Sequence, residues 1–312
     1  MNPRITVVGS INIDLVFRTP RMPQVGETIT GDEFRQIPGG KGANQAVAAA
    51  RQGADVAFVG CVGDDGFGQQ ALTGLKADAI DTSAISIVPG LSTGVAGILV
   101  DSSGHNSIVV TPGANGEVGI ARVDAAAATI RASQSLICQL EIPLPSVVHA
   151  IDLARQSGVT VIFNPAPTQT LPADLLSKVD YLIVNETEAA QLSGIEVSDQ
   201  DSAARAAEAL RAQGAGTVLL TMGEHGVGII DAKSSRFLPA VRVAVVDTTA
   251  AGDTFVGALA VGLAFGLDID TASTEAQYTA ALTVTKLGAQ TSIPSRAEVL
   301  QFMQSHHQSA AR

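Results

Sequence analysis

Short runs of continuous apolar residues alternate along the chain with longer stretches of helical spacing. Ile5-Thr6-Val7-Val8-Gly9 is the first such run, and residues 55–60, 135–140, 159–163, 181–184 and 217–220 repeat the pattern. Runs of this length, apolar at successive positions, predict parallel strands buried on both faces. Helices are predicted at 46–51 with Gly53 as a stop, up to Lys76, near 122–132, at 146–157, at 202–213 and from Val256 onward. Strand and helix signals in turn predict an α/β fold: a doubly wound, mostly parallel sheet with helices on both faces. Two stretches break the alternation. Between Asp14 and Ile37, extended pieces at 15–18, 28–30 and 34–37 are separated by Pro20, Pro23, Gly26 and Gly31. Residues 92–100 and 106–110 flank the turn Asp101-Ser102-Ser103-Gly104 and read as a hairpin. The expectation is one domain over 1–312, with a small antiparallel sheet contributed by about 14–38 and 92–111. The tail after Leu300 is polar and is expected to fray.

The chemistry gathers at the ends of the predicted strands. The β-branched run leading into Val246 is expected to be a strand that breaks at Ala250-Ala251-Gly252 and restarts as a helix with Asp253 in its first turn. Such a break leaves unpaired N–H groups at a helix N-terminus, a site for a phosphate or a developing anion. Asp253 beside it reads either as a general base or as a carboxylate that favours the helix start. Asn12, Asp14, Glu141, Asn164, Asn185, Glu188 and Thr221 all fall at strand carboxyl ends, where doubly wound sheets bind ligands. In Pro38-Gly39-Gly40-Lys41-Gly42-Ala43-Asn44-Gln45, the glycines allow close approach of a ligand, and Lys41 and Asn44 offer donors to sugar hydroxyls. A plain glycine-rich turn is the simpler account. Gly223-x-x-Gly226-x-Gly228 reads as a hairpin turn or as a nucleotide wall. Neither a P-loop nor a dinucleotide fingerprint is present. Asp64-Asp65 is read as turn and helix cap rather than metal ligand.

Composition narrows the class. The chain is 46% hydrophobic and lacks Trp, with a net charge of -11, which argues against nucleic-acid binding. No apolar run reaches membrane-spanning length and Met1-Asn2-Pro3-Arg4 leads straight into a strand, so a cytoplasmic protein is expected. Cys61 and Cys138 lie in apolar runs and are expected to be buried free thiols. His105, His149, His225, His306 and His307 show no ligand spacing and are read as surface or loop residues.

Taken together, Gly-Ser-Ile-Asn-Ile-Asp (9–14), Gly-Gly-Lys-Gly-Ala-Asn-Gln (39–45), Gln-Leu-Glu (139–141), Asn-Pro-Ala-Pro (164–167), Asn-Glu-Thr-Glu (185–188), Asp-Thr-Thr-Ala-Ala-Gly-Asp-Thr-Phe (247–255) and Lys-Leu-Gly-Ala-Gln-Thr-Ser (286–292) resemble the ribokinase family of carbohydrate kinases, in family order from about Ile5 to Pro294. One departure is Ala250, where many members carry Gly. The resemblance implies a large α/β domain with a small β-sheet lid, and ATP-dependent phosphorylation of D-ribose at its 5-hydroxyl. Kinases for deoxyribose, another pentose or a nucleoside are the alternatives, with a catalytically silent sugar-binding regulator as one of a different class. By the same resemblance Asp253 is the base, and the backbone of Ala250, Ala251, Gly252 and Asp253 forms the anion hole. Asn12, Ile13, Asp14, Gly40, Lys41, Gly42, Ala43, Asn44 and Glu141 match sugar contacts. Asn185 and Glu188 match the side that organises magnesium and phosphates. Thr221, Gly223, Gly226, Gly252 and Gln277 match the ATP side. Asp247, Thr249, Thr283, Lys286, Gly288 and Ser292 match a potassium site, largely through backbone carbonyls. A homodimer formed through the lid sheet is also implied.

Overall fold

The structure, a computed structural model, describes residues 2–310, with side chains described to residue 306. Its strands and helices follow in the order β1 (Arg4–Val8), β2 (Asn12–Arg18), β3 (Glu33–Gly39), α1 (Lys41–Arg51), β4 (Asp55–Gly63), α2 (Gly66–Ala77), β5 (Ile85–Val88), β6 (Gly94–Val100), β7 (Asn106–Thr111), α3 (Ile120–Ala125), α4 (Ala127–Arg131) and β8 (Ser135–Cys138). They continue with α5 (Leu144–Gln156), β9 (Thr160–Phe163), β10 (Tyr181–Asn185), α6 (Glu186–Ser193), α7 (Gln200–Ala212), β11 (Thr217–Thr221), β12 (Val227–Ile230), β13 (Ser235–Leu238), α8 (Ala251–Ala264), α9 (Ile269–Thr283) and α10 (Arg296–Ala310).

Nine strands form the main sheet in the order β13-β12-β11-β10-β9-β8-β1-β4-β5. All pair in parallel except β12 and β13, which turn back as antiparallel edge strands. Alternate strand residues feed two cores. Leu136, Cys138, Phe163 and Leu220 pack on one face with α3 to α7, whereas Val7, Phe58, Ile137 and Ile183 pack on the other with α1, α8 and α9. Burial on both faces is why these strands read as unbroken apolar runs. Strand order reverses between β1 and β8, and a crevice at such a switch point is the default ligand position.

The second sheet has the order β3-β2-β6-β7. Its two antiparallel hairpins meet along the parallel pair β2/β6, with Asn12 opposite Gly94 and Arg18 opposite Val100. Both hairpins leave the main body outward and return, so their outgoing strands run side by side. Phe17 and Phe34 stack at 4.9 Å between centroids and remain about half exposed, and Ile108, Val109 and Val110 on β7 are exposed as well.

Several expectations are corrected. Residues 28–30 form no strand, and α1 begins at Lys41, five residues before the predicted start. The predicted helix near 122–132 is two short helices, α3 and α4. The β-branched run before Asp247 is irregular. Val241, Val243 and Val245 line a cavity instead of joining the sheet, and the N–H groups of Val246 and Asp247 bond to Val284 O at the end of α9. The tail is helical to Ala310, where Tyr278, Phe302 and His306 meet edge to face. Both cysteines are free and buried, and burial pushes the Cys61 thiol up to about 11. Asp65 caps α2 through Gly68 N. The side chain of His307 lies outside the described residues.

Candidate active site

Two adjoining cavities open at the carboxyl ends of the strands. The larger, about 820 Å³, is lined by Gly223, Gly226 and Gln277 among others, and the smaller, about 220 Å³, by Lys41, Asn185, Glu188 and Asp253. Thr221, Thr248, Ala251 and Gly252 line both. The first turn of α8 is therefore the partition between them.

That turn is built to present backbone donors. Its N-cap, Ala250, adopts left-handed backbone angles (φ 61°, ψ 8°) and no side chain caps the helix. Ala251 N bonds to Thr248 O and Thr254 N to Ala250 O, whereas the N–H groups of Gly252 and Asp253 precede the first intrahelical bond. Gly252 is exposed, with open space where a Cβ would stand. An anion at the partition would meet these donors with the helix dipole behind them.

Asp253 is 8% exposed and faces inward from this turn. Its Oδ2 accepts Asn44 Nδ2 at 2.9 Å and its Oδ1 accepts Gln45 Nε2 at 3.0 Å. Helix packing makes this possible. A Cβ on Gly257 of α8 would come within 2.5 Å of Gln45 O and 2.6 Å of Ala48 Cβ, so only glycine lets α8 approach α1 this closely.

The neighbouring crevice is acidic. Glu141 Oε2 accepts Ser10 Oγ at 2.6 Å and Lys41 N at 3.0 Å, anchoring the loop after β8 to the start of α1. Burial, then the charges of Glu141 and Asp253, raises the Asp14 carboxyl to about 7. Lys41 supplies the compensating charge: Asp253, with Glu141 and Glu188, holds its ammonium above the usual range against the opposing effect of burial. Gly40 joins β3 to α1 at φ 89°, and a Cβ there would stand 2.7 Å from Asn12 N. Asn12 Oδ1 accepts Asn115 Nδ2 at 2.8 Å, and Asn115 also bonds to the N–H and C=O of Ile11.

Not every expected contact residue offers a group to a ligand. Ile13 and Ala43 are fully buried in the core, and Gly42 N is taken by Ser10 Oγ at 3.2 Å. These three shape the floor of the crevice. Asn115, Ser10, Gln45 and Gln139 belong to the site's framework and were not singled out from sequence. The tertiary contacts that recruit them leave no periodic signal.

At the wall of the smaller cavity Asn185 and Glu188 form a capping box at the start of α6, with Glu188 N to Asn185 Oδ1 at 2.8 Å and Asn185 N to Glu188 Oε2 at 2.9 Å. Burial raises the Glu188 carboxyl above its ordinary value, opposed by the Asn185 bond and Lys41. Among the described residues no three His, Cys, Asp or Glu side chains group as a metal cage. The expected potassium residues are brought together in part. Asp247 Oδ1 accepts Thr249 N and Oγ1, and its Oδ2 accepts Gly288 N at 2.9 Å, joining the two loops. Partial burial opposes ionisation, but these bonds together hold the Asp247 carboxyl below its usual range. The hydroxyls of Thr283 and Ser292 donate to Thr279 O and Ala289 O, which leaves their oxygen lone pairs free, whereas Lys286 Nζ bonds to Glu298 at 3.0 Å and can offer a cation only its backbone oxygen. A set of carbonyl oxygens with one carboxylate is chemically suited to an alkali cation.

A family model described as pfkB family carbohydrate kinase matches residues 2–296. The ribokinase of Haemophilus influenzae is 44% identical over 304 residues, covering 97% of this chain and 99% of that protein. The deoxyribokinase of Salmonella typhimurium is 38% identical over 292 residues, covering 93% and 95%. Among solved structures, Arabidopsis thaliana ribokinase complexed with ribose and ATP superposes with a TM-score of 0.91 at 31% identity, covering 97% of this chain and 99% of that one. Ribokinase from Thermotoga maritima gives 0.88 at 36% identity, covering 96% and 99%.

Proposed function

The chain belongs to the pfkB family of carbohydrate kinases, and on that premise we propose that it transfers the γ-phosphoryl group of ATP to the 5-hydroxyl of D-ribose. Support for ribose over other sugars comes from full-length ribokinases of 44% and 43% identity and from the fold shared with a ribokinase that binds ribose and ATP. The observation that carries the mechanism is Asp253 at the partition, buried, oriented by two amides, and next to open N–H groups.

In this reading the sugar lies under the four-stranded sheet, which acts as a lid, with Asn12, Asp14, Lys41, Asn44 and Glu141 receiving its hydroxyls. ATP occupies the larger cavity, past Thr221, Gly223, Gly226 and Gln277. Asp253 accepts the proton of the 5-hydroxyl as it attacks, and the charge on the transferring phosphoryl group is received by the amides of Ala250, Gly252 and Asp253, the N–H of Ala251 being turned to Thr248 O. Asn185 and Glu188 would hold magnesium, which supplies neutralisation of phosphate charge. Asp247 and oxygens of Thr249, Thr283, Lys286, Gly288 and Ser292, mostly backbone carbonyls, would hold potassium, which would supply rigidity to the loop before α8. The exposed aromatic and β-branched side chains of the lid sheet fit a second copy of the chain, giving a homodimer.

ADP release measured across ribose, deoxyribose, other pentoses and nucleosides tests the substrate. Ribose should give the highest kcat/KM, chelation of magnesium should abolish release, and preference for a nucleoside would sink the reading. Asp253→Asn should lower kcat by about 10²–10⁴-fold while ribose binding survives.

A further inference from the structure

We propose that Gln45 and Gln139 form a positioning chain that fixes the plane of the Asp253 carboxylate, an inference that rests on Asp253 being the base. Gln139 Nε2 donates to Gln45 Oε1 at 2.6 Å, and Gln45 Nε2 donates to Asp253 Oδ1 at 3.0 Å. Because the oxygen of the Gln45 amide is held by Gln139, its nitrogen must face Asp253. The same nitrogen lies 3.2 Å from Asn164 Oδ1, and Asn164 is itself anchored through Nδ2 to Ile183 O at 3.0 Å. Asn44 alone would leave the carboxylate free to pivot about one bond. Donors on both oxygens remove that freedom.

The chain is expensive to keep. Gln45 and Gln139 are both fully buried, and Gln139 Oε1 has no hydrogen-bond partner. An apolar pair would fill the volume without that desolvation cost. Room for the oxygen comes from Gly9 at the end of β1, where a Cβ would stand 2.2 Å from it. Two buried amides, one of them incompletely satisfied, ending on the carboxylate of the site are explained by what they do to Asp253.

The test compares Gln45→Leu, Gln139→Leu, Asp253→Asn and the double variant Gln45→Leu/Asp253→Asn in the full chain, by steady-state kinetics, pH profiles and melting. Gln45→Leu should lower kcat by about 10- to 100-fold, the scale set by a misplaced catalytic group, with the KM values for ribose and ATP within about twofold. The acidic limb of its kcat profile should move to higher pH, because a lost donor no longer favours the ionised carboxylate. Gln139→Leu should change both quantities in the same direction and by less. In the Asp253→Asn background, Gln45→Leu should cost little more, as expected of residues acting through one group. Normal kcat in folded Gln45→Leu overturns the chain, and so does a loss that is additive with Asp253→Asn and leaves the pH profile unmoved. Should Gln45→Leu fail to fold, Gln139→Leu, outside the α1/α8 contact, carries the same pH readout. Near-normal turnover in Asp253→Asn would instead remove the base itself, a distinguishable outcome.

Discussion

Ala250 occupies a backbone conformation that a Cβ makes costly by about 1–2 kcal/mol. It is also the position where, by the resemblance drawn from the sequence, many members carry Gly, so that departure falls where glycine is the physical default. Ala250→Gly should relieve this strain, less about 0.4–1 kcal/mol of extra unfolded-state entropy, and raise Tm by a small margin in a melting experiment. A lower Tm would mean the surrounding loop already compensates. A second residue gives a pH signature. Asp14 is raised from its ordinary 3.8 to about 7 by burial and by Glu141 and Asp253. A carboxyl raised on folding contributes stability that is fully present below its unfolded pKa and is lost as pH rises through its folded pKa. The ligand-free protein should therefore lose stability between about pH 4 and 7 through this group, and Asp14→Asn, which cannot ionise, should flatten that part of the Tm profile. Ribose hydroxyls donate to the ionised form, so KM for ribose should fall as pH rises through 7. Identical Tm profiles in wild type and Asp14→Asn would show that Asp14 does not titrate there.

Two loops and one helix pair do the work at the scale of elements. Asp247 ties the turn before α8 to the loop after α9. If the carbonyls around it hold potassium, that ion should raise kcat well above the level in sodium or lithium, and Asp247→Ala should abolish the difference without unfolding the chain. Activity in desalted enzyme that ignores potassium would leave Asp247 as a turn residue. Elements with a local cause were legible in the sequence. The buried strands declared themselves as apolar runs, the start of α6 as Asn-Glu-Thr-Glu, and the start of α8 as small residues before Asp253. Elements decided by distant partners were not. Val241, Val243 and Val245 have strand-forming side chains but face a cavity, and α10 looks polar until Tyr278, Phe302 and His306 meet. The site divides in the same way. Strand-end residues such as Asp14, Glu141 and Glu188 could be found from their place in the pattern. Gln45 closes the glycine-rich motif at 39–45, but its reach to Asp253 across 208 positions of chain depends on the close approach at Gly257 and has no local signal.

For the whole molecule, the lid is the surface least able to remain in water. Phe17, Phe34, Ile108 and Val110 are each about half exposed on a thin sheet that packs against the body only at its base. Small sheets with apolar faces are marginal unless covered. Ultracentrifugation at micromolar concentration should find a dimer, Ile108→Lys should dissociate it, and a monomer in the unmodified chain would refute the lid interface. The acidic crevice has a consequence for the direction of traffic. On the proposed function a neutral sugar enters among Asp14, Glu141 and Asp253 without electrostatic penalty, its hydroxyls donating to their carboxyl oxygens. Once phosphorylated, the same molecule is an anion standing among anions, with Lys41 already shared among the resident carboxylates. Only the N–H groups at the start of α8 would favour the new charge, so the hold on a phosphorylated sugar is divided between that helix end and the carboxylates around it. On the proposed function the crevice would take in a neutral sugar unopposed and hold a phosphorylated one against its own charge.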